Sequence, residues 1–533
     1  MTTSFERILE GIDLPTIRQL ALCPVTNTAG MSLAFDERCT EDRHPELFYL
    51  VSVLVFYKYN IKTNEWYLLP SPALAGTFGH GAGAVFVPNQ GPSGSLASGC
   101  STTVLNLTTA FPAAVGVNQL ANRGDGRGFK IRVIDNVIGG SGKTEEKLIV
   151  GNTAGTTPQI ALESALSFTP SPGARYELLS GRVYLLSAGT VGAGSWKYYD
   201  VATNSYSGNL STTNLPATLV TDTHLLNYNE LYAPNTSKPG QGIIYGASQF
   251  NNSTMYCLQA TDSSSTTIVG QSVGGDATLV ENEYRNFQIR IVEDATTPAS
   301  VGQRRNITSH TAGPAPAYTV PAWTITPSLN AKFVIEGNSD RIICFTSVTG
   351  TNYNYSITAD AWDTTTFAVR GANVGAGVMG AFGHGAPRDV TGRFRHSQLY
   401  SFRGGATTNL DILDIAGATT GVWDVTSLYG NKNIAFTTGT SGAYDPIQNG
   451  GRYLMISANP VSGVGQRNLR FDLVNRVLEP FAYTEYINPS GTVVNGQRCA
   501  LKSLFYDQGT VKKTCLVTMQ TAGSVVLETM VNV

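Results

Sequence analysis

The chain has few charged residues and no concentration of either sign. Charged residues make up 14% of its 533 residues, and 36 Lys and Arg against 38 Asp and Glu leave a formal charge of −2. An average soluble domain carries about 25% charged residues, and a nucleic-acid-binding surface normally shows a clustered basic stripe. The composition therefore predicts no nucleic-acid partner, and it disfavours long helices lined with salt bridges.

Paired cysteines, a membrane-length apolar run and an export signal are also missing. The seven cysteines are scattered and form no CxxC, so neither a zinc ribbon nor a redox pair is indicated, and we expect buried thiols in a reducing cytoplasm. The apolar stretch at 47–57 is too short for a membrane helix, which needs about 20 residues, and predicts one or two buried strands. The opening MTTSFERILEGIDL lacks a signal-peptide core. We therefore expect a soluble protein that is not exported by the general secretory route.

Glycine and apolar residues are plentiful. The chain has 56 Gly and 24 Pro, with 42% apolar and 9% aromatic residues. This composition is typical of many short strands joined by polar turns, and the apolar content argues against disorder. The segment SFERILEGIDLPTIRQLAL near the start is expected to form one short helix or a docking arm.

One hairpin pattern recurs along the chain. A large apolar residue precedes a polar turn, and a second one follows it seven positions later, in YNIKTNEW (59–66), YDVATNSY (199–206), YSITADAW (355–362) and FDLVNRVL (471–478). Looser copies start at Cys257, Leu413 and Leu516. Asn, Asp, Thr and Gly between apolar runs are turn formers. The pattern predicts seven hairpins.

The spacing of these hairpins indicates a repeat. Tyr199 to Cys257, Tyr355 to Leu413 and Leu413 to Phe471 are each 58 residues apart. A period of this length with four strands per unit is typical of propeller blades. Two FGHGA strings, within 78–87 and 382–390, supply small residues that suit a crowded innermost strand.

The pattern resembles the Kelch repeat, which has a strand, a glycine pair, a Tyr-Asp hairpin closed by Trp, and a His-containing inner strand. Only Gly404-Gly405 supplies the glycine pair here. The resemblance implies an all-β fold, a six- or seven-bladed Kelch-like β-propeller with two inserted small β-modules.

The two modules are predicted from intervals that break the period. Tyr59 to Tyr199 is 140 residues and Cys257 to Tyr355 is 98. Three pairs of strings inside these intervals resemble each other at offsets of 158, 160 and 157: FKIRVIDN and FQIRIVED, GKTEEKLIV and GQRRNITSH, ARYELLSG and AKFVIEGN. One module, covering about 129–181 and 287–338, is therefore predicted to be inserted twice.

These patterns divide the chain into six parts. They are an N-terminal arm with the first strands (1–46), a first propeller part (47–95), inserted module 1 (96–181), a second propeller part (182–275), inserted module 2 (276–338) and a third propeller part (339–533).

Two motifs suggest enzymes, and both are interpreted as turns. GGSGKT at 139–144, with Lys143 and Thr144, lacks the first Gly of a phosphate-binding loop and precedes a strand-like segment rather than a helix. GQSVG around Ser272 matches a nucleophile elbow but has no strand–turn–helix context. We therefore predict no catalytic or cofactor-binding residue from either.

The remaining candidates also have structural interpretations. His80 and His384 in the FGHGA strings are expected at the polar position of an inner strand, because no third metal ligand accompanies them. The tripeptide at 123–125, Arg-Gly-Asp, is expected to be an exposed turn. Trp66, Trp362 and Trp423 could stack against sugars, but their place in the hairpins favours core packing. No metal, cofactor or catalytic residue is predicted.

Modules of this kind, in a Kelch-like chain rich in Gly, Thr, Ser and Asn, resemble virion structural proteins of tailed bacteriophages. The resemblance implies a non-enzymatic assembly protein of the tail, collar or head, located in the virion and made in the host bacterial cytoplasm. Its partners would be other copies of itself and other virion proteins, without membrane insertion. The alternatives are an adhesin that binds a host receptor or glycan and, third, a carbohydrate-active or oxidase propeller enzyme.

Overall fold

The computed structural model describes most of the chain between residues 16 and 532. The described residues are 16–19, 21–22, 24, 32–35, 46–51, 55–60, 63–76, 78–79, 81–111, 113, 115–122, 128–220, 223–227, 232–233, 244–245, 258–270, 279–338, 340–346, 349–382, 398–427, 429–430, 436–437, 440–445, 453–458, 467–482, 499–504, 513–519 and 526–532. Within them the fold is all-β: the strands are joined by turns and by two short 3-10 helices, Gln119–Ala121 and Pro298–Ser300. The described part of the chain has no helix of the length and apolarity needed to cross a membrane.

Six antiparallel sheets, numbered here in chain order, contain four strands paired one after another. Sheet 1 comprises Ser32–Phe35, Glu46–Val51, Val55–Asn60 and Glu65–Leu69; sheet 2 comprises Gly83–Val87, Arg182–Leu186, Trp196–Asp200 and Ser205–Tyr206; sheet 3 comprises Thr223–Asn227, Arg341–Thr346, Tyr353–Ser356 and Ala361–Asp363. Sheet 4 comprises Met379–Phe382, Gln398–Phe402, Asn409–Asp414 and Val422–Ser427; sheet 5 comprises Ser441–Asp445, Tyr453–Ala458, Arg467–Asp472 and Val477–Ala482, with Tyr429–Gly430 added in parallel; sheet 6 comprises Cys499–Leu504, Lys513–Met519, Val526–Asn532 and Thr16–Gln19.

Sheet 6 joins the two ends of the described chain. Its outer strand, Thr16–Gln19, pairs antiparallel with Val526–Asn532. Residues 16–19 were expected to belong to a short helix or an arm, and they form a strand instead. The apolar run at 47–57 contributes to two strands of sheet 1, as its length and composition predicted.

The first strands of the six sheets lie against one another in a closed cycle. The first strand of each sheet contacts that of the next, and the first strand of sheet 6 contacts that of sheet 1. Glycines allow this close approach: a Cβ on Gly83 would lie 3.1 Å from Leu225, and one on Gly380 would lie 2.9 Å from Leu226. Small residues therefore occupy crowded positions of these strands, and Gly83 lies in the string 78–87 for which the sequence predicted this role.

The phenylalanines that open the twin FGHGA strings, Phe78 and Phe382, do not occupy equivalent positions. The first string precedes the strand Gly83–Val87, whereas the second starts at the end of Met379–Phe382. His80 and His384 lie outside the described residues. The expectation that both strings form inner strands is therefore wrong for Gly79 and Gly81, which lie in a turn before the strand.

Both inserts enter the turn between the first and second strands of a sheet. Insert 1 follows Val87 and ends before Arg182, and these two residues are direct partners in sheet 2. Insert 2 follows Asn227 and ends before Arg341, the neighbour of the direct partner of Asn227 in sheet 3. Each insert therefore replaces what would otherwise be a tight hairpin turn.

The two inserts have the same strand order. Insert 1 contains Ser93–Ser95, Val104–Asn106, Lys130–Ile134, Thr144–Asn152, Gln159–Leu162 and Arg175–Leu179; insert 2 contains Leu258–Ser263, Thr267–Gly270, Gln288–Glu293, Arg304–Asn306 with Ser309–His310, Ala317–Thr319 and Lys332–Glu336. In both, the first strand pairs with the last, the last with the third, the third with the fourth, the fourth with the fifth and the fifth with the second. A bridge between Leu96 and Leu107 brings the first and second strands of insert 1 together, and the corresponding strands of insert 2 pair directly.

One predicted hairpin belongs to insert 2 rather than to the repeated sheets. The strands Leu258–Ser263 and Thr267–Gly270 pair with Lys332–Glu336 and Ala317–Thr319. The interval of 58 residues from Tyr199 to Cys257 therefore connects a hairpin of sheet 2 to a hairpin of insert 2 and is not a spacing between equivalent repeats. The strands of insert 2 accordingly begin before the expected boundary at 276.

Short 2-stranded pairs complete the described structure. They are Gly189–Thr190 with Thr218–Leu219 and Tyr232–Ala233 with Ile244–Tyr245. The hydrophobic core of insert 1 is separate from those of the sheets except at Val201 and Ala202, whereas the core of insert 2 is continuous with residues of sheets 3 and 4 such as Phe345 and Leu413. Insert 2 is therefore the more deeply integrated of the two.

Candidate functional site: the interface between the inserts

The repeated hairpins form as the sequence predicted. The apolar residues seven apart face each other across the turn, as Tyr59 and Trp66, Tyr199 and Tyr206, Tyr355 and Trp362, and Phe471 and Leu478. Between them, Asn64, Asn204, Asp360 and Arg476 have left-handed backbones, with φ from 47° to 60°. Asn and Asp tolerate this conformation better than other residues with a Cβ.

These hairpins also hold the segment that arrives from the preceding sheet. In sheet 3, Asp360 Oδ1 accepts hydrogen bonds from the Tyr355 hydroxyl (2.6 Å) and from the Ser211 N–H (2.9 Å), while Trp362 Nε1 donates to the Ser211 carbonyl (3.0 Å). In sheet 1, Asn64 and Trp66 hold the N–H and carbonyl of Ala21 in the same way. Each of these two hairpins therefore clamps one backbone unit of a connection between two sheets.

The tryptophans considered for sugar stacking serve these clamps. Trp362 is buried, and Trp66 and Trp423 are half-buried. Trp423 Nε1 donates to the Ala368 carbonyl at 2.7 Å, and the Arg370 guanidinium lies 4.4 Å from its ring. Core packing is confirmed for Trp362, and all three indole N–H groups bond to backbone carbonyls.

The GGSGKT segment lies in a turn where the two inserts meet. It follows the strand Lys130–Ile134 and precedes the strand Thr144–Asn152, so it opens no helix, and the prediction of a structural turn is confirmed. The Asp294 N–H donates to the Gly142 carbonyl at 2.7 Å, and Lys143 forms a β-bridge with Glu293. The turn thus forms a contact between the inserts.

Close approach makes Gly142 necessary at this point. Its φ is +65°, and a Cβ there would lie 2.1 Å from the Asp294 carbonyl oxygen. On the other side, a Cβ on Gly302 would meet Ile134 at 3.0 Å, and Ile134 belongs to the hydrophobic core of insert 2. Two glycines and one isoleucine therefore let the backbones of the inserts touch.

A row of six alternating charges runs from one insert into the other. In insert 1, Arg132 contacts Glu146 at 2.7 Å and Glu177 at 3.0 Å. In insert 2, Arg290 binds both carboxylate oxygens of Glu336, at 2.8 and 2.9 Å. Arg132 and Arg290 occupy matching positions of FKIRVIDN and FQIRIVED, so the duplicated sequence carries one buried arginine in each insert.

Arg304 connects the two halves of this row. Its Nη2 lies 3.4 Å from Glu177 Oε2 of insert 1, and its Nε lies 3.7 Å from Glu336 Oε1. Burial alone would raise the pKa of the Glu177 carboxyl, but Arg304 and Arg132 hold that pKa well below its usual range. The row itself has three arginines and three glutamates, and the half-exposed Arg175 also lies 3.8 Å from Glu177. Removing a buried partner would leave a buried charge without its partner.

Insert 2 is also fastened to sheet 4. Arg285 Nη1 donates to the Ala416 carbonyl at 3.1 Å, and Asn286 Nδ2 donates to the Ile415 carbonyl. Insert 1 is fastened to its own sheet, because Gln119 Nε2 donates to the Ala202 carbonyl at 2.8 Å. The inserts thus contact hairpin turns of the sheets as well as each other.

The other residues considered from the sequence are not brought together. Ser272 and the tripeptide at 123–125 lie outside the described residues, as do His80 and His384. Among the residues that the structure describes, no three His, Cys, Asp or Glu side chains are grouped as a metal site requires. Sequence reasoning missed Glu177 and Arg304, and the only signal for the row was the arginine shared by the two duplicated strings.

No protein-family model matches the chain, and no curated protein matches it in sequence. Solved structures that align weakly include Saccharomyces cerevisiae Sqt1, at 9% identity over 96% of this chain and 97% of that chain with a TM-score of 0.29; the NanB sialidase of Streptococcus pneumoniae, at 8% identity over 97% and 94% with a TM-score of 0.23; and the α-L-arabinanase of Penicillium chrysogenum, at 11% identity over 82% and 98% with a TM-score of 0.21. Likenesses at these TM-scores carry no argument about function.

Proposed function

We propose that the protein is a non-enzymatic assembly subunit, a Kelch-like propeller of six blades that carries two inserted modules for contacts with other proteins. The closed cycle of six first strands supports a count of six blades. The six predicted hairpins outside insert 2 give the same number. A closed propeller leaves few strand edges exposed, which suits a rigid platform.

The observation that carries the assembly role is the joining of the inserts into one body. The Asp294 N–H donates to the Gly142 carbonyl, and Glu177 forms an ion pair with Arg304. The two residues of this ion pair are 127 positions apart in the chain. The first two strands of sheet 2 could be joined by a short turn in place of insert 1, since Val87 and Arg182 are already direct partners. We infer that this body serves to contact neighbouring subunits.

The setting we propose is the virion of a tailed bacteriophage, with the protein in the tail, the collar or the head. This follows the resemblance drawn from the sequence, and the near-zero net charge of −2 suits close packing between copies. A glycan-binding adhesin is the alternative. It is less favoured because the indole N–H groups of Trp66, Trp362 and Trp423 bond to backbone carbonyls.

Excision of insert 2 tests this proposal. Residues 228–340 are replaced by a short Gly-Ser turn, which the pairing of Asn227 with Ile342 allows. We expect a folded, soluble protein that no longer enters particles, and folding is checked by circular dichroism. A second variant replaces residues 88–181 between Val87 and Arg182, and it too should fold and fail to enter particles, because the proposed contact needs both inserts. Normal occupancy of the 228–340 variant in particles would show that the assembly role of insert 2 is wrong.

A further inference from the structure

A buried histidine of insert 2 holds the turn that fastens this insert to sheet 4. His310 is 2% exposed, and it is joined by hydrogen bonds to the turn 281–286. Its N–H donates to Asn282 Oδ1 at 3.0 Å, and its carbonyl accepts the Asn282 N–H at 3.1 Å. Its ring Nε2 accepts the Tyr284 N–H at 2.8 Å. The strand Ser309–His310 therefore holds this turn through an imidazole as well as through its backbone.

The same turn carries the groups that contact sheet 4. Arg285 Nη1 donates to the Ala416 carbonyl at 3.1 Å, and Asn286 Nδ2 donates to the Ile415 carbonyl. Both acceptors lie in the turn between the third and fourth strands of sheet 4. Asn282 and Asn286 have left-handed backbones, with φ of 63° and 69°. The conformation of the turn thus directs its two side chains toward sheet 4, and the bonds to His310 maintain that conformation.

Only a neutral His310 ring fits these contacts. Its Nδ1 lies 2.8 Å from the Thr311 carbonyl, so Nδ1 carries the proton and Nε2 is left as the acceptor for the Tyr284 N–H. A second proton would place an N–H on Nε2 directly against that N–H. The ring centroid lies 5.7 Å from that of Tyr284 and 5.3 Å from that of Tyr318, both buried. A charge on the ring would therefore be buried and would cost a hydrogen bond.

The charged and titratable groups on the elements around the ring are Glu281, Glu283 and Arg285 of the turn, Tyr318 of the strand Ala317–Thr319 and Asp414 of sheet 4. Burial is the largest effect on the pKa of His310 and lowers it; Arg285 lowers it further, whereas the Thr311 carbonyl and Glu281 raise it. Burial raises the pKa of Tyr318, so its hydroxyl stays neutral. The ring is therefore neutral at neutral pH and takes up a proton only as the pH falls below the ordinary histidine pKa of about 6.5.

We propose that His310 is an acid-sensitive latch: protonation of its ring releases the turn 281–286, and this release detaches insert 2 from the turn of sheet 4. At neutral pH the ring accepts the Tyr284 N–H, and the latch is closed. In acid the proton on Nε2 displaces that N–H, and Arg285, repelled by the charged ring, leaves the Ala416 carbonyl. This inference concerns how insert 2 is held and does not depend on the assembly role proposed above.

Hydrogen–deuterium exchange of the full-length protein tests the latch at about pH 7 and about pH 5, with rates corrected for the intrinsic pH dependence of exchange. We expect the protection of the segments 281–287 and 415–421 to fall together at the lower pH by at least about tenfold. The protection of the strand Lys130–Ile134 in insert 1 should not change.

Two matched variants assign the effect to one ring. His310→Gln, which cannot titrate, should keep the same protection of both segments at the two pH values. His224, which is half-buried in the strand Thr223–Asn227 of sheet 3, supplies the control. His224→Gln should lose protection of both segments as the wild type does.

Unchanged protection of 281–287 in the wild type, or a His310→Gln variant that loses protection as the wild type does, would overturn the proposal. Loss confined to 281–287 would also overturn it, because the turn would then not control the contact with sheet 4. If His310→Gln does not fold, or is unprotected at both pH values, NMR titration of the wild-type His310 ring decides. The ring must titrate over the pH interval in which protection is lost, and a mismatch between the two intervals would show that the latch is wrong.

Discussion

At the scale of single residues, a tyrosine hydroxyl helps to close three of the hairpin turns. Tyr59, Tyr199 and Tyr355 each donate to the Asn or Asp five positions later. In the fourth hairpin Phe471 has no hydroxyl, and the left-handed position is occupied by Arg476. The hydroxyl and its acceptor are therefore present together in three hairpins and absent together in the fourth.

Tyr355→Phe should lower the free energy of unfolding by about 1 kcal/mol, because it removes a hydrogen bond to Asp360 inside a clamp. Tyr67→Phe is the matched control, since Tyr67 is 42% exposed and its hydroxyl donates to the exposed Glu65. The control should change the free energy by less than about 0.5 kcal/mol. Equal losses of unfolding free energy in the two variants, measured by urea unfolding, would show that the hydrogen bond from Tyr355 to Asp360 does not stabilise the hairpin.

His310 gives insert 2 a pH dependence. The ring is buried, its Nε2 accepts the Tyr284 N–H at 2.8 Å, and its Nδ1 is 2.8 Å from the Thr311 carbonyl, so the neutral Nδ1–H form fits. Burial lowers the pKa of His310; Arg285 also lowers it, whereas the Thr311 carbonyl and Glu281 act to raise it.

Because the pKa is lower in the folded than in the unfolded chain, His310 contributes stability above its unfolded pKa of about 6.5, and that contribution is lost as the pH falls through the folded pKa. Unfolding by urea at neutral and mildly acidic pH should show this loss in the wild type. His310→Gln, which cannot titrate, should show a smaller loss over the same interval. If the unfolding free energies of the wild type and of His310→Gln depended on pH in the same way, His310 would not be the group responsible for the loss.

At the scale of elements, the sequence predicted the hairpins better than the inserts. A hairpin depends on local turn chemistry and on apolar residues seven apart, so Tyr355 and Trp362 could be paired from the sequence. The first strands of the two inserts, Ser93–Ser95 and Leu258–Ser263, share no sequence pattern and pair with distant strands. Their place in the fold could not be found from the local sequence.

The interface between inserts was also out of reach of sequence reasoning. Glu177 and Arg304 meet because two modules dock, and neither residue has a local pattern that marks a partner 127 residues away. The GGSGKT turn was correctly placed between strands, but its contact with Asp294 depends on the same docking. Tertiary contacts of this kind become visible only with the structure.

Gly142→Ala should separate the inserts. The new Cβ would meet the Asp294 carbonyl oxygen at 2.1 Å, and we expect a loss of about 2–4 kcal/mol in the free energy of unfolding. Gly139→Ala is the matched control, because Gly139 also has a positive φ of 79° but has no atom within 4 Å of the added Cβ. It should cost about 1 kcal/mol. Equal losses would show that the contact at Gly142 does not matter.

At the scale of the whole molecule, the sheets and the inserts differ in how they are held together. The six sheets form a closed cycle through their first strands, and the strand Thr16–Gln19 connects the start of the described chain to its end. The inserts add strands that the cycle does not need, and they meet through backbone bonds and a buried row of charges. This division predicts a platform that folds without the inserts and an assembly contact that needs them.

Electron microscopy of the assembled particle is the most direct test of the assembly role. We expect density for the protein in the particle, with the paired inserts facing neighbouring subunits. The protein's absence from the particle, or its presence with both inserts directed into solvent, would contradict the central claim that the inserts are the assembly contacts.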